Sequence, residues 1–493
     1  MIEGKFLAID FGSESGRAIV GILSDNKIEL EEVHRFPNKQ GKIFNSLHWD
    51  ILYLFDELKR GIAKAVKRGH DDIESIGVDT WGVDFGLIAK DGQLLGNPFA
   101  YRDSRTDGML ERAFELITKE DLYNSTGIQL MQINSAFQLL SMVESNSSLL
   151  ESADKLLFMP DLFNYLLTGE KKSEYSIAST SQLLNAKDGT WDESVLNALK
   201  IPINIMAPII APGTNVGKLL DSITEPFGIK NIDVIAPGCH DTACAVAAVP
   251  AHGDNWAYLS SGSWSLVGIE SDVPIINERS LEYNFTNEGG VGGKIRFLKN
   301  MMGMWLVQQL KKEWKENGLD YSYAELSKQA EEAPEFKCII DPDDNAFLHP
   351  KKMSMAIDEF CEKTNQSKPK NVGEYIRAVL ESLAFKYRET IDKINLFRET
   401  PIEVLHIVGG GSQNELLNQF ASNATGLKVI AGPVEATTLG NIMMQAIAKG
   451  KIESIEKGRK IIANSSSLKE YNPVQESNWN EIYKKYYGRI KHD

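Results

Sequence analysis

The sequence predicts an α/β protein made of two related halves. Three observations carry this. Apolar runs of strand length alternate with stretches of helical periodicity along 493 residues. Two segments, "KFLAIDFGSESGRAIVGIL" and "WAYLSSGSWSLVGIE", share an order of apolar strand, glycine–serine turn and apolar strand. Breakers then cluster in "VPAHGDN", which places the split between the halves near residues 245–255.

In chain order, "KFLAIDF", the turn "GSESG" and "RAIVGIL" predict a hairpin, and the alternating "KIELEEVHRF" adds a third strand. Ile51, Phe55, Leu58, Ile62 and Ala65 recur at helical spacing, so residues 49–68 are expected as a helix on that sheet. "IESIGVDTWGVDFGLIA" returns to strand character. Helices are expected near 105–118, 134–146 and 161–168. "IDVIAPG" reads as a short buried strand and "DTACAVAAV" as a helix after it. The second half continues with helices near 303–316 and 371–396. "EVLHIVGGGSQNELLNQFASNATGLKVIAG" follows as strand, triple glycine, helix and strand, and 436–449 reads as a helix. The tail from about 451 to 493 is expected to be helical and peripheral.

Composition bounds the function. A hydrophobic content of 42% and a charged content of 25% are ordinary for a globular protein. The formal charge of −15, with no basic stripe, argues against nucleic-acid and membrane partners. It leaves room for a nucleotide held locally by backbone N–H groups. "MIEGKFLAIDFGSESGRAIV" has no basic region followed by a long apolar core, and no apolar window approaches a membrane span, so a cytoplasmic location is expected. Four cysteines in 493 residues are not a disulfide framework.

The densest chemistry lies in "APGCHDTACAVAA". A closed zinc site needs about four N or S ligands, and this stretch offers at most three. Cys239 and Cys244 read better as small packing residues around a helix start. Asp241 follows Pro237-Gly238 and precedes an alanine-rich run, so it reads as an N-cap whose carboxylate the helix end keeps ionised. In phosphoryl transfer one such carboxylate orients an acceptor hydroxyl and takes its proton. No Walker or dinucleotide glycine pattern is present. Three glycine turns at strand ends remain, at 12–16, 262–263 and 409–411, where backbone N–H groups can approach a phosphate or a purine. Asp10 suits a metal-bound water, and Arg17 offers a planar fork of donors to phosphate.

These segments together resemble the FGGY carbohydrate kinases of the actin and sugar kinase superfold. "DFGSESGR" looks like the family's first phosphate hairpin, "SSGSW" like the second and "VGGGSQN" like its adenosine motif. "MPDLFNYLLTGE" followed by "YSIAS" resembles the family signature, and the likeness runs from about residue 5 to 450. It implies two ribonuclease H-like domains with an interdomain cleft: a sugar-binding domain over 1–245, an ATP-binding domain over 250–450 and a tail over 451–493. It implies ATP and Mg2+ as co-substrate and cofactor and a small-molecule ketose as partner. "GVDTWGVDFGLI", "AYRDSRTDGM", "HDTACAV" and "LKNMMGMWLVQ" narrow the ketose to a deoxyketohexose phosphorylated on its 1-hydroxyl.

Carried over residue by residue, the resemblance makes Asp241 the general base. His240, Asp241 and Thr242 become sugar contacts with Gly82 and Asn300. Ser13, Glu14, Ser15, Gly16, Arg17, Ser263, Gln308 and Gly410 become ATP contacts, and Asp10 the metal residue. Glu14 and Ser263 depart mildly from the family pattern, and the extra cysteine pairs of some members are absent, so no disulfide is expected. Trp81 and Trp305 read as core or pocket wall. Tyr101, Arg102 and Asp103 either line the sugar pocket or form a salt-bridged helix start. Asn300 and Gln308, eight apart, are placed on one helix face.

Overall fold

Strand Ile2–Phe11 is buried along most of its length, because Phe6, Leu7, Ala8, Ile9 and Phe11 leave no polar face for solvent. A fully buried apolar run of this kind belongs in a sheet covered on both sides. In the computed structural model, which describes residues 2–348, 350–474 and 476–490, it is a central strand of a six-stranded sheet. The order is Thr214–Lys218, Asp233–Ala236, Ser75–Thr80, Ile2–Phe11, Ser15–Ser24, Lys27–Pro37. The last three strands are antiparallel, as the hairpin-plus-strand reading requires. Ser75–Thr80 runs parallel to Ile2–Phe11, in a register that sets Asp10 beside Asp79. Helix Ile51–Lys67 is capped by Asp50, whose carboxylate accepts from Tyr53 N at 3.1 Å, and buries Ile51, Leu54, Leu58, Ile62 and Ala65. That is the stripe read from its periodicity.

The chain forms two compact units that do not follow chain order. One gathers Met1–Pro250, Glu270–Leu298 and Ala436–Ser465; the other gathers Ala251–Ile269, Lys299–Glu435 and Ser466–Asp493. In the second unit, Trp256–Ser261 pairs antiparallel with the strand that begins at Trp264 and parallel with Val404–Val408, which pairs parallel with Lys428–Ala431. Each unit thus joins an antiparallel hairpin to parallel strands. In the first unit, helix Ala436–Ala448 packs against helix Asp241–Ala247 and the central strand. Its Asn441 donates to Gly77 O at 3.1 Å and its Gln445 to Leu7 O at 3.1 Å.

Three expectations change. The predicted helix over 105–118 is broken into a short turn at Ser104–Thr106 and a helix at Met109–Phe114, because Gly108 takes a φ of +77° between them. A second helix, Lys119–Thr126, follows, with Thr118 as its cap. "IESIGVDTWGVDFGLIA" forms two strands, Ser75–Thr80 and Phe85–Ile88, in different sheets, because Trp81–Asp84 turns inward. The tail is not merely peripheral. Lys469–Tyr471 adds an antiparallel strand to Lys428–Ala431, and Trp479 is buried among Phe336, Phe385 and Phe420. All four cysteines are free and buried. Among the described residues no helix is long and apolar enough to cross a membrane.

Candidate active site

The first glycine turn joins two strands whose register faces Asp10 with Arg17. Gly12 N donates to Ser15 O at 2.9 Å, which closes the turn over Ser13 and Glu14. Asn38 braces it from outside: its backbone N–H donates to Glu14 O at 2.8 Å and its side chain to Gly12 O at 2.8 Å. Asp10 is 5% exposed, and Arg17 Nη2 meets its Oδ2 at 2.5 Å. Thr438 donates to the same oxygen at 3.3 Å. Asp79 lies alongside, fully buried; Asn441 donates to its Oδ2 at 2.5 Å while Oδ1 has no hydrogen-bond partner. Burial and the Asp10 charge push the Asp79 carboxyl well above its ordinary range.

Asp241 stands at the end of strand Asp233–Ala236, past a turn that the neighbouring strand extends. Thr80 N donates to Cys239 O at 2.9 Å, and Thr80 and His240 form a parallel bridge. Two expectations about Asp241 are corrected. His240 occupies the cap position and Asp241 is the first helical residue. Its Oδ1 accepts from its own neighbour, Thr242, through N at 2.5 Å and Oγ1 at 3.0 Å. Nor does the helix end hold the carboxyl low. Burial raises its pKa, the His240 charge opposes, and the Asp10 charge adds to the rise. The helix has only seven residues, so its dipole is outweighed by desolvation. The side chain keeps 29% of its surface exposed.

His240 is held from both ends. Its backbone N–H donates to Ser176 Oγ at 3.2 Å. Its Nδ1 lies 2.9 Å from Arg296 Nη2, and Arg296, fully buried, also donates from Nε to Gly289 O at 2.9 Å. Glu288 Oε2 sits 3.2 Å from that guanidinium and 3.4 Å from the imidazole. Cys239 and Cys244 are fully buried packing residues, as read; a side chain at Gly440 would collide with the Cys244 carbonyl. Among the described residues no group of three His, Cys, Asp or Glu could hold a metal by itself.

Gly82 lies in the Trp81–Asp84 turn, where a Cβ would stand 3.3 Å from Thr180. Trp81 is buried core: its indole donates to Asp84 Oδ2 at 2.9 Å. Asp84 also accepts from Trp49 Nε1 at 2.6 Å, Tyr101 N at 3.2 Å and Gln138 Nε2 at 3.1 Å. Burial pushes its carboxyl up to about 6. Asp103 caps the Ser104–Thr106 turn and accepts from Leu47 N at 2.5 Å, which favours the helix-start reading for that residue.

In the second unit the remaining candidates converge through backbone contacts. Ser263 sits at the hairpin tip, where Ser263 O accepts from Gly303 N and Trp305 N, both at 3.1 Å, and Gly262 O from Met304 N at 2.9 Å. These bonds tie the second glycine turn to the start of helix Trp305–Glu316, which carries Gln308. Gln308 Oε1 is buried without a partner. The third turn packs on the same hairpin: a Cβ at Gly411 would collide with the Ser261 side chain, so the backbone at Gly411 lies close to it, while a Cβ at Gly410 would meet open space. Asn300 is corrected: it lies on strand Ile295–Met302, not on the helix of Gln308. Sequence reasoning missed Asn38, Asp79, Glu174, Arg296, Thr438 and Asn441.

The first unit thus gathers a backbone-lined turn, a buried Asp–Arg pair and the Asp241 carboxylate. Residues 5–248 match the N-terminal domain of the FGGY family of carbohydrate kinases and residues 257–449 its C-terminal domain. The chain belongs to that family. It is 44% identical over 482 residues to a rhamnulokinase of Bacteroides thetaiotaomicron, covering 98% of both chains. It is 42% identical to a rhamnulokinase of Oceanobacillus iheyensis, covering 95% of this chain and 98% of that one. Among solved structures, the gluconate kinase of Lactobacillus acidophilus superposes with a TM-score of 0.82 at 16% identity, over 98% of this chain and 97% of that one. The ADP-bound glycerol kinase of Plasmodium falciparum superposes with a TM-score of 0.77 at 16% identity, over 99% and 97%. At such identities these two establish the fold alone: that of the actin and sugar kinase class.

Proposed function

We propose that this enzyme transfers the γ-phosphoryl group of ATP to the 1-hydroxyl of L-rhamnulose, a cytoplasmic step of L-rhamnose breakdown. The observation that carries the reading is the near full-length likeness, at 44% and 42% identity, to proteins named rhamnulokinase. In this reading residues 1–245 bind sugar and carry the first phosphate turn and 250–450 bind ATP, although Glu270–Leu298 and Ala436–Ser465 pack in the first compact unit. Residues 451–493 form the tail, of which Lys469–Tyr471 and Trp479 support the ATP-binding half.

Asp241 is the general base. Its Oδ1 is engaged by Thr242. The other oxygen receives the proton as the sugar oxygen bonds to phosphorus and the bond from phosphorus to the bridging oxygen breaks, with ADP leaving. A carboxyl raised by burial is a stronger base than one in water. Gly82, His240, Thr242 and Asn300 contact the sugar. Ser13, Glu14, Ser15, Gly16, Arg17, Ser263, Gln308 and Gly410 contact ATP; the unpartnered Gln308 acceptor supports that role.

Asp10 fits a magnesium ion held mainly by phosphate oxygens and water, as this ion prefers. Arg17 and Thr438 engage one Asp10 oxygen, and the partnerless Asp79 Oδ1 lies on the neighbouring strand. When bound, the ion neutralises charge on the transferred group. The test is a coupled ATP assay across a ketose panel. L-Rhamnulose should give the highest kcat/KM. A preference for L-fuculose or a xylulose would overturn the substrate, and ATP turnover indifferent to sugar would overturn the kinase reading.

A further inference from the structure

Glu174 is a fully buried carboxylate placed by the sequence where a short helix must start. Helix Tyr175–Ser179 has five residues and takes Glu174 as its cap. The carboxylate accepts from Ser176 N at 2.8 Å, Ser176 Oγ at 2.6 Å and Ile177 N at 3.1 Å. Those three bonds are local and account for a cap. The fourth is not: Cys239 N, in the turn before Asp241, donates to Glu174 Oε2 at 3.1 Å. Ser176 Oγ, while donating to that carboxylate, accepts from His240 N at 3.2 Å. Two consecutive backbone N–H groups of the turn, at Cys239 and His240, are therefore anchored to Glu174, one directly and one through a hydroxyl. The same helix reaches the His240 ring from the other side. Ser179 Oγ accepts from Gly289 N at 2.7 Å, Gly289 O accepts from Arg296 Nε, and Arg296 Nη2 meets His240 Nδ1.

We propose that Glu174 is a positioning residue for phosphoryl transfer: by fixing the Cys239–His240 backbone it sets the direction from which Asp241 meets the sugar hydroxyl. The inference rests on Asp241 being the base. Four donors converge on the carboxylate, and only its ionised form can accept from all four. Burial, against the pull of those donors, raises Glu174 to about 7. The titratable and charged groups facing it are Asp161, Tyr175, Cys239, Cys244, His240 and Arg296. Asp161 accepts from Glu174 N at 3.0 Å; burial raises its carboxyl well above the ordinary range and raises both thiols further above theirs. As pH falls through about 7, Glu174 gains a proton, an acceptor becomes a donor facing N–H groups, and the turn loosens.

The experiment compares wild type, Glu174→Gln and Ser176→Ala in kcat, KM for each substrate, pH profile and thermal melt. A displacement of the base by about 1 Å costs on the order of 100-fold. Glu174→Gln should lower kcat by about 10- to 100-fold with KM for ATP within about threefold. Ser176→Ala, which removes the link to His240 and one of the four donors to Glu174, should lower kcat by about threefold to tenfold. The wild-type kcat should fall on the acid side near pH 7, a limb absent from Glu174→Gln. Wild-type turnover with both variants within twofold, or an unchanged acid limb in Glu174→Gln, overturns the inference alone. A wild type inactive on every ketose overturns the proposed function and this inference with it. If Glu174→Gln does not fold, Ser176→Ala decides.

Discussion

Replacing Asp241 by Asn keeps the side chain's size and its local bonds while removing the proton acceptor. The Asn carbonyl oxygen can still accept from Thr242 N and Oγ1, where Asp241 Oδ1 does. The amide nitrogen then faces the sugar hydroxyl as a donor and cannot take its proton. A positioned base contributes about 10²–10⁴-fold, or roughly 3–5 kcal/mol of barrier. At 29% exposure, water can reach the carboxylate and relay part of the proton transfer, so the lower end applies. The expected loss is at least about 100-fold in kcat, with KM for ATP within about threefold. Removing a charge that burial disfavours should leave the melting temperature unchanged or raised. Coupled ADP detection with L-rhamnulose as acceptor measures the rate. A variant within tenfold of wild type would refute Asp241 as the base, and loss of ATP binding would show that its role is not confined to the sugar.

Two predictions concern stability. Asp84 binds its proton more tightly folded than unfolded, at about 6 against 3.8, so wild type should lose stability relative to Asp84→Asn as pH rises from about 4 to 6. The expected change is up to about 3 kcal/mol, read from denaturant melts at each pH, and a flat difference would refute the shift. Gly440→Ala places a methyl group against the Cys244 carbonyl, a backbone atom that cannot move aside, and should destabilise by about 3 kcal/mol or more. A melt unchanged in that variant would mean that helices Asp241–Ala247 and Ala436–Ala448 pack less closely than described.

The parts legible in the sequence were those written in local pattern. The first hairpin, helix Ile51–Lys67 and the triple-glycine turn follow from alternation, from the 3.6-residue period and from glycine at strand ends. Gly108 interrupted a helix the pattern had run through, because a single glycine does not announce whether it will be helical or left-handed. The turn that carries Asp241 was read at the right place, but the residue's position in the helix and the direction of its pKa shift were misjudged. One residue separates a cap from a first helical position, and burial, which reversed the expected pKa shift, is set by segments remote in sequence. Glu174 and Arg296 stand in ordinary local contexts and gain meaning from Cys239, 65 residues away, and His240, 56 residues away. Helix Ala436–Ala448 was predicted, but not its place. Its one legible sign was a pair of amides, Asn441 and Gln445, on an otherwise apolar helix. Buried amides need partners, and these find them on Leu7, Ser75, Gly77 and Asp79. The same helix brings Thr438 to Asp10. The carboxylate pair of the first unit is therefore completed by residues from the 430s and 440s. A division by chain order alone would leave Asp79 without the Asn441 hydrogen bond and Asp10 held by Arg17 without Thr438.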